Sequence, residues 1–462
     1  MIWRWFTKGY IWILKCVFMA ADFLLYIVSA GLFVFLLYAA GVSYREKEHL
    51  AFRRFLISGL LLPLPFLAVA FFSDIALLSY GLVVLLLLVA ALFFLPLAKG
   101  LQKEGITPRG RIDERDTMFS REILEKGTER YREYYRGHPE YQAGDDALRQ
   151  NPGLLSERSA YYHREIFSAA RANFDLIVKN RPFVDGEVAV EQQSVDPQNF
   201  SRYLKELAVK YGAVSAGITP LHDYHLYAYR GRKHNYGEPV NNPHDYALAF
   251  TVEMDHDYVR AAPYAPAVLE SSRQYLRSGM LALWMAQIIR DLGYPARAHI
   301  DGEYEVVCPL VARDAGLGEI GRMGLLMTPE LGPRVRIAVV TTSMPLIPDD
   351  RKEDPSMIDF CIHCKKCAEV CPSRAISFDD RTLIGGVLRW QIDQQACFTT
   401  WTKFGTDCAR CMSVCPYSHP DTPLHNLVRY GIKNSPAFRR WAVKMDDFAY
   451  GRKPKPLRVR DE

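Results

Sequence analysis

Cysteine is scarce in most of this 462-residue chain. Of its ten cysteines, all but Cys16 and Cys308 lie in two motifs near the C-terminus. This distribution excludes a disulfide framework and indicates assembly in a reducing compartment. The chain also lacks a strong charge excess, since its formal net charge is +5. Much of that charge flanks N-terminal hydrophobic segments, so we expect no nucleic-acid partner.

The remaining cysteines form two motifs that predict two iron–sulfur clusters. The first has the bacterial ferredoxin spacing C-x2-C-x2-C-x3-C-P, in which the fourth cysteine binds the other cluster. The second keeps the last three cysteines and moves the first one away, to Cys397. One [4Fe–4S] cluster is therefore expected on Cys361, Cys364, Cys367 and Cys415, and the other on Cys397, Cys408, Cys411 and Cys371. Zinc ribbons and disulfides are the alternatives, but zinc sites do not lend a fourth ligand to a neighbouring site.

Residues 1–100 contain three uncharged apolar runs, Phe23–Val42, Phe55–Phe72 and Ile75–Ala98. Each has about 18 or more residues and could cross a bilayer as a helix, so a three-helix membrane anchor is expected. Buried helices of a soluble domain are the alternative. Prolines 63 and 65 should kink the second helix, and Ser73-Asp74 should form a tight turn. The repeated runs, without a small-residue cleavage site, argue against a cleavable signal peptide.

The distribution of Lys and Arg predicts the orientation of this anchor. The positive charges after the first and third runs are Arg45, Lys47, Arg53, Arg54, Lys99, Lys103, Arg109 and Arg111. The positive-inside rule places both regions on the cytoplasmic face, so we expect a multi-pass inner-membrane protein with a cytoplasmic catalytic part. The segment Arg53-Arg54-Phe55-Leu56 resembles a twin-arginine export signal, which would reverse this orientation. It follows another membrane helix, which favours its interpretation as topogenic charge.

The rest of the chain predicts an α/β fold in which helices cover a sheet. Residues 101–198 are expected to be helical or irregular and to wrap an α/β core at 199–350. A ferredoxin-like segment should follow at 351–425, and a C-terminal tail at 426–462. Within the core, the expected elements are helix Phe200–Tyr211, strands Ala213–Ile218, Tyr246–Met254 and Arg334–Thr342, and helix Ser272–Leu292, which ends at Gly293.

A family resemblance appears in the segment Ala315-Gly-Leu-Gly-Glu-Ile-Gly-Arg-Met-Gly324, which continues to Arg336. With the two cysteine motifs, Asp113–Arg121, Glu253-Met-Asp255 and Leu292-Gly-Tyr294, it resembles the corrinoid-dependent reductive dehalogenases over roughly residues 111–420. The resemblance implies a nitroreductase-like core that holds a cobalamin-type corrinoid in its base-off form. The residues expected to bind this corrinoid are Gly316, Gly318, Gly321, Arg322 and Gly324.

The same resemblance implies the catalytic residues. Tyr275 looks like the proton donor, and Arg336, with Arg334 beside it, looks like the cation that stabilises tyrosinate. A tyrosine, with an ordinary pKa of about 10, suits this role only if a cation lowers its pKa. A third polar residue, Asn or Lys in relatives, is represented here by His299 or Asp301. From the residues alone, Tyr275 would be an ordinary half-buried helix tyrosine.

Three other polar residues are expected to be structural. The segment Asp223-Tyr-His225-Leu-Tyr-Ala228 lacks the final glycine of a D-x-H-x-x-G motif. His225 is therefore not expected to bind cobalt, and no protein ligand to cobalt is predicted. Cys308 and Glu319 are likewise expected to be structural.

The favoured interpretation is a membrane-anchored reductive dehalogenase that releases halide from an organohalide. Its electrons would reach two clusters from a quinol-linked or other reductase in the membrane. One alternative is a related corrinoid iron–sulfur reductase of a non-halogenated substrate, similar to the epoxyqueuosine reductases. The other is a non-catalytic membrane electron-transfer module. The sequence leaves the organohalide, the lower base of the corrinoid and the oligomeric state open.

Overall fold

The computed structural model describes residues 2–72, 76–94, 108–351 and 353–458. The chain divides into two compact units. The first, which we call the helical unit, comprises residues 1–100 and 422–454. The second, which we call the core unit, comprises residues 101–421 and 455–462.

Helices make up most of the helical unit, and the strands of the described chain lie between residues 215 and 389. The α-helices are α1 (Ile2–Arg45), α2 (His49–Leu61), α3 (Leu64–Phe72), α4 (Ala76–Phe94), α5 (Met118–Glu122), α6 (Glu129–Gly137), α7 (Pro139–Leu148), α8 (Arg164–Asn180), α9 (Pro197–Lys210), α10 (His256–Arg260), α11 (Ala265–Asp291), α12 (Cys308–Asp314), α13 (Pro355–Cys364), α14 (Lys366–Val370), α15 (Gln394–Phe404), α16 (Arg410–Ser413), α17 (Pro423–Asn434) and α18 (Pro436–Tyr450). The strands are β1 (Ser215–Pro220), β2 (Tyr246–Glu253), β3 (Ala296–His299), β4 (Glu319–Ile320), β5 (Leu326–Met327), β6 (Val335–Thr342), β7 (Thr382–Ile384) and β8 (Val387–Arg389).

The apolar runs of the helical unit form α1 to α4. A short turn separates α2 from α3 beside Pro63, whose missing N–H interrupts the helix as expected. The Ser29 hydroxyl donates a 3.2 Å hydrogen bond to the Pro63 carbonyl, so this buried oxygen keeps a partner.

Two segments of the described chain, Asp22–Arg45 and His49–Phe71, are long and apolar enough to cross a membrane. The expectation of three spanning helices is therefore not confirmed. The described apolar helix of the third run, Tyr80–Ala91, is shorter than a spanning helix. The tight turn expected at Ser73-Asp74 lies outside the described residues.

The region expected to be a C-terminal tail contains α17 and α18, which pack against the N-terminal helices. Ala449 and Tyr450 of α18 form a buried cluster with Ala51 and Phe55 of α2. The guanidinium of Arg54 donates to the carbonyls of Asp447 and Phe448 in the last turn of α18, where unpaired carbonyls favour a cation. Arg54 therefore has a structural role in the helical unit.

The core unit is built on a four-stranded sheet with the order β1-β2-β6-β3, in which every neighbouring pair is antiparallel. The elements predicted between residues 200 and 342 appear as α9, β1, β2, α11 and β6, which confirms a mixed helix-and-sheet fold. Strand β3 was not predicted, because its four residues, Ala296–His299, are too few for a clear pattern. Its pairing with β6 makes it a strand.

Both faces of the sheet are covered, because successive side chains of a strand point to opposite faces. Leu248 and Phe250 of β2 pack in the cluster that includes Met285 and Ala286 of α11. Ala247 and Ala249 of β2 point the other way, into the cluster that contains Val311 and Ala312 of α12. This arrangement fixes α11 against the sheet beside the start of β6, where Arg336 lies.

Candidate redox and active site

The cysteines predicted to share the first cluster lie around one pocket. Cys361 and Cys364 are on α13, which is capped by the Asp354 side chain, and Cys367 is on the next short helix. Cys415 comes from the second motif and completes the set. The pocket is lined by these four cysteines together with Arg322, Met323, Met327, Phe360, Lys365, Lys366 and Pro416.

Electrostatic coupling shows that these thiols are close to one another. Burial, and then the neighbouring Cys361 and Cys364, raise the pKa of the Cys415 thiol well above its ordinary value. A buried thiol surrounded by other thiols resists deprotonation, because the resulting thiolates repel one another. A cationic centre would remove that penalty, so the first set fits an iron–sulfur cluster.

The second set is assembled in the same crossed manner. Burial, and then the charge of Cys371, raise the pKa of the Cys397 thiol to about 11. Burial and then Cys408 and Cys397 raise the pKa of Cys411 well above its ordinary value. Cys371 thus lies within electrostatic range of Cys397, and the crossed ligand pattern stays a prediction.

The ligand type of the two sets suits an iron–sulfur cluster. In the described part of the chain, no three His, Cys, Asp or Glu side chains are grouped as they would be around one metal ion. The ligands of a [4Fe–4S] cluster bind different iron atoms and surround a larger body than a single ion does. The donors present are all thiols, which is the ligand type of such clusters.

The glycine-rich segment 316–324 packs beside the first cysteine set. A Cβ on Gly318 would lie 2.1 Å from the Met327 carbonyl oxygen, and one on Gly321 would lie 2.3 Å from the Met327 sulfur. These two glycines are therefore explained by the close approach of β4 and β5. Gly316 and Gly324 have φ values of +80° and +75°, and a Cβ on either would meet no atom closer than 3.7 Å.

Arg322 is buried at the wall of the first cysteine pocket. Its Nη1 donates to the carbonyls of Ser377 and Asp379 at 2.7 and 2.8 Å, and its Nε donates to the Cys361 carbonyl at 3.2 Å. The guanidinium lies over the Trp390 ring, 4.6 Å from its centroid. Arg322 was predicted to bind a corrinoid, but its contacts are at the first cysteine set.

Tyr275 and Arg336, which the sequence places 61 positions apart, are in contact. The guanidinium carbon of Arg336 lies 4.8 Å from the centroid of the Tyr275 ring. Arg336 also donates to Asp407 at 3.1 Å and to the Ser271 hydroxyl. Because Asp407 directly precedes Cys408, this contact joins the tyrosine to the second cysteine set.

The pKa of Tyr275 differs from the expectation. Burial raises it above the ordinary value, and this effect outweighs Arg336, which lowers it. Asp301 raises it further. The expected net lowering is therefore wrong for this structure, and Tyr275 keeps its proton at neutral pH.

The other residues predicted at the active site divide into two groups. Asp301 lies within electrostatic range of Tyr275, and its carboxylate is 3.9 Å from Arg181. His299 is fully buried, accepts from the Glu305 N–H at Nδ1 (3.2 Å) and contacts the Thr341 hydroxyl at Nε2 (3.0 Å). Burial, and then Arg297, lower its pKa well below the ordinary value, so it is neutral.

Arg334, like His299, forms its hydrogen bonds with residues other than Tyr275. It donates to Glu253 at 2.6 Å and to the Ser418 carbonyl at 2.8 Å. The structure thus brings together Tyr275, Arg336 and Asp301.

Two residues near Tyr275 were not predicted. Arg232, held by Glu114 at 3.0 Å, lowers the pKa of Tyr275, and Tyr304 is coupled to both Asp301 and Tyr275. Arg232 could have been found through its partner Glu114, which lies in the segment Asp113–Arg121 that carries the family resemblance. Nothing in the sequence around Tyr304 distinguishes it from other tyrosines.

The three residues expected to be structural have structural contacts. His225 is buried, with Nε2 at 2.9 Å from Asp314 and Nδ1 accepting from the His222 N–H at 3.1 Å. Glu319 pairs with Arg351 at 3.1 Å. Burial raises the pKa of Cys308 to about 12, so its thiol stays protonated.

Known proteins match this arrangement. A family model described as a 4Fe-4S dicluster domain matches residues 360–419. The tetrachloroethene reductive dehalogenase of Sulfurospirillum multivorans is 35% identical over 222 residues, which cover 46% of this chain and 44% of that protein. The chain is therefore similar to the reductive dehalogenases over this part of its length. It spans less than half the length of this curated relative.

A structural relative of the reductive dehalogenase family has been solved. The structure described as suggesting a mechanism for B12-dependent dehalogenation is 25% identical, with a TM-score of 0.57. The match covers 76% of this chain and 50% of that one. The epoxyqueuosine reductase of Lactococcus garvieae matches over a shorter stretch, 29% identical over 143 residues, which cover 30% of this chain and 38% of that protein. The comparisons therefore favour the reductive dehalogenase interpretation.

Proposed function

We propose that this chain is a membrane-anchored reductive dehalogenase that acts on an organohalide. The reaction consumes two electrons and one proton and releases halide, R–X + 2e⁻ + H⁺ → R–H + X⁻. The observation that carries the proposal is the contact of Tyr275 with Arg336, which is hydrogen-bonded to Asp407 next to Cys408. A proton donor and a candidate electron carrier thereby lie in one part of the core unit.

Besides the iron–sulfur clusters, we propose a base-off, cobalamin-type corrinoid near Tyr275. Buried polar atoms there, Nε of Arg336 and Oδ1 of Asp407, have no hydrogen-bond partner within the protein. Such atoms usually have a partner, so they fit a bound polar group. When bound, the corrinoid supplies the reduced cobalt that cleaves the carbon–halogen bond. His225 has both ring nitrogens engaged, which supports a corrinoid without a histidine ligand.

Tyr275 is proposed to give its phenolic proton to the carbon that loses the halide. The raised pKa keeps Tyr275 protonated at neutral pH, and the strongly basic reduced carbon can accept this proton. Arg336 then stabilises the tyrosinate, since its cation lies over the ring. The charge of the Asp301 carboxylate destabilises the tyrosinate. Asp301 is proposed to orient the substrate.

The electrons are proposed to pass through two [4Fe–4S] clusters on the two cysteine sets. The second set is the candidate for the carrier nearer to the reacting carbon, because Asp407 connects it to Arg336. A quinol-linked or other membrane reductase is proposed as the electron donor.

The helical unit is proposed to anchor the chain in the inner membrane with more than one crossing. Support comes from the two spanning-length helices and from the positive charges around Arg45 and Arg54. By the positive-inside rule we propose that these charges and the catalytic part lie on the cytoplasmic face, which requires the third apolar run to cross the membrane as well.

Metal analysis combined with a halide assay tests the proposal. Detergent-purified protein should contain about eight irons per chain and, after reconstitution with cobalamin, bind cobalt. With reduced methyl viologen it should release halide from tetrachloroethene or a brominated phenol. Full iron content with no cobalt binding and no halide release would instead identify an electron carrier.

A further inference from the structure

The exposed faces of α17 and α18 combine aromatic, aliphatic and basic side chains. On α17, Leu427 and Tyr430 are 47% and 62% exposed, and on α18, Trp441 and Phe448 are 44% and 50% exposed. Lys433, Arg440 and Lys444 are also exposed. The positions recur every three or four residues, so each helix presents them on one side. We call this set the outward face.

The charges of the outward face have one sign. Residues 423–450 contain five Lys or Arg residues and two Asp residues. Asp446 is buried, and Asp447 is only partly exposed and pairs with Arg452 at 3.3 Å. A surface of this kind attracts anions, and its aromatic residues are the types enriched where a bilayer meets water.

The position of α18 along the helical unit indicates its depth. Ala449 and Tyr450 pack against Ala51 and Phe55, in the first two turns of α2. These turns begin the spanning-length segment His49–Phe71. The last turn of α18 therefore lies beside the N-terminal end of that segment. If α2 and α3 cross the membrane, this end is at the level of the lipid headgroups.

A second contact places α17 at the same level. His425 of α17 has Nε2 at 3.1 Å from both carboxylate oxygens of Glu46, in the turn between α1 and α2. Both side chains are nearly buried, with 7% and 8% exposure. The two C-terminal helices are thus tied to the chain where it leaves the apolar segments.

We propose that the outward face of α17 and α18 lies in the headgroup layer of the membrane and binds anionic phospholipid. This inference rests on the membrane placement in the proposed function. The aromatic and aliphatic side chains enter the interface, while Lys433, Arg440 and Lys444 contact lipid phosphates. The C-terminal helices thereby become a second membrane contact of the chain, besides its apolar helices.

Fluorescence quenching of Trp441 in nanodiscs tests this contact. Full-length protein would be inserted into phosphatidylcholine discs with or without phosphatidylglycerol, made with ordinary or 6,7-dibrominated acyl chains. The chain has seven tryptophans, so the Trp441 signal is taken as the difference between wild type and Trp441→Phe. We expect brominated lipid to quench this signal severalfold and acrylamide to quench it weakly.

A charge variant tests the lipid preference. Changing Lys433, Arg440 and Lys444 together to Gln should abolish the greater Trp441 quenching in anionic discs. The matched control changes the exposed Lys179, Lys210 and Lys403 of the core unit to Gln and should leave the quenching unchanged. Iron content checks that each variant is folded.

Two results would overturn the proposal. Strong quenching of Trp441 by acrylamide, without an effect of brominated lipid, would show that the outward face is exposed to water. Protection from both quenchers would show a face covered by protein, such as a second copy of the chain. A chain that fails to enter discs at all would instead refute the membrane placement on which the inference rests.

Discussion

Each of the two cysteine sets supplies four thiols, but the charged side chains beside the two sets differ. Arg322 lines the first set as a buried cation, and its Nη2 has no hydrogen-bond partner within the protein. The second set has the buried Asp407 beside Cys408, and this carboxylate pairs with Arg336. Arg322 thus acts on three cysteines of the first set. The second set has the nearly neutral Asp407–Arg336 pair and the less buried Arg410, which acts on Cys408.

This difference matters because a cluster gains negative charge when it is reduced. A buried cation nearby stabilises the reduced form and raises the reduction potential, and the low local dielectric strengthens the effect. We therefore expect the first cluster to have the higher potential. Identical ligand motifs can thus hold two electron carriers with different driving forces.

The largest expected effect comes from removing the exchanged ligands. Cys415→Ala should eliminate the first cluster, although Cys415 lies in the second motif, and Cys371→Ala should eliminate the second. Each change should reduce the iron content from about eight to about four per chain. Iron analysis and electron paramagnetic resonance of the reduced protein measure this.

Cys308→Ala is the matched control for these variants, since this buried cysteine lies outside both sets and should leave the iron content unchanged. If Cys415→Ala removed the signal of the second cluster instead, the crossed ligand assignment would be wrong.

A smaller but still large effect is expected at the tyrosine beside the second set. Tyr275→Phe removes the proposed proton donor and should lower the dehalogenation rate by about 10²- to 10⁴-fold. Both clusters should remain reducible, because Tyr275 is not among the proposed cluster ligands. Halide release and a dithionite titration provide the two readouts.

Tyr294→Phe serves as the control, because the Tyr294 hydroxyl donates a 2.9 Å hydrogen bond to the Gln193 carbonyl and has no proposed catalytic role. A Tyr275→Phe variant with full turnover would exclude Tyr275 as the donor.

A moderate effect is expected from the cation at the first set. Arg322→Gln should lower the potential of the first cluster and shift its reduced-to-oxidised ratio about tenfold at a fixed potential, which is 59 mV for one electron. The second cluster should be unaffected. A redox titration followed by electron paramagnetic resonance measures both potentials.

Arg381→Gln is the matched comparison, because Arg381 also lies over Trp390, at 5.5 Å, but is partly exposed and more strongly screened by water. Equal shifts in the two variants would show that burial of Arg322 has no special influence.

The smallest effect concerns pH. Because the donor must carry its proton, activity should be present below the pKa of Tyr275 and lost as pH rises through it. Burial raises that pKa above the ordinary value of about 10, so the Tyr275-dependent rate should not fall between pH 6 and about 9. Initial rates of halide release across this range check the prediction. A decline centred near pH 7 would show that another group is the donor.

The motifs made the dicluster domain predictable, because the spacing of ferredoxin cysteines is a local property of the chain. The long helix α11 and strand β6 were predictable for a similar reason, since their periodicities are visible in consecutive residues. The contact between Tyr275 and Arg336 was accessible only through family resemblance. No local pattern relates residues on a helix and a strand that meet in the fold.

Other features depended on burial and packing. Gly318 and Gly321 were expected to face a cofactor, but the position of Met327 explains why these residues are glycines. The pKa of Tyr275 was expected to fall, yet the desolvation of a phenol depends on how deeply the fold encloses it. The contacts of α18 with α2 and of α17 with the turn before α2 are likewise invisible in the sequence, because they join residues almost 400 positions apart.

The sequence by itself therefore determined the two cysteine motifs, the apolar segments and the main helices and strands, since each is encoded by spacing or periodicity within a short stretch. Only the tertiary structure decided which charges stand beside each cysteine set, which predicted residues surround Tyr275 and where the C-terminal helices pack. These properties arise from groups distant along the chain, whose energies depend on burial and separation in space.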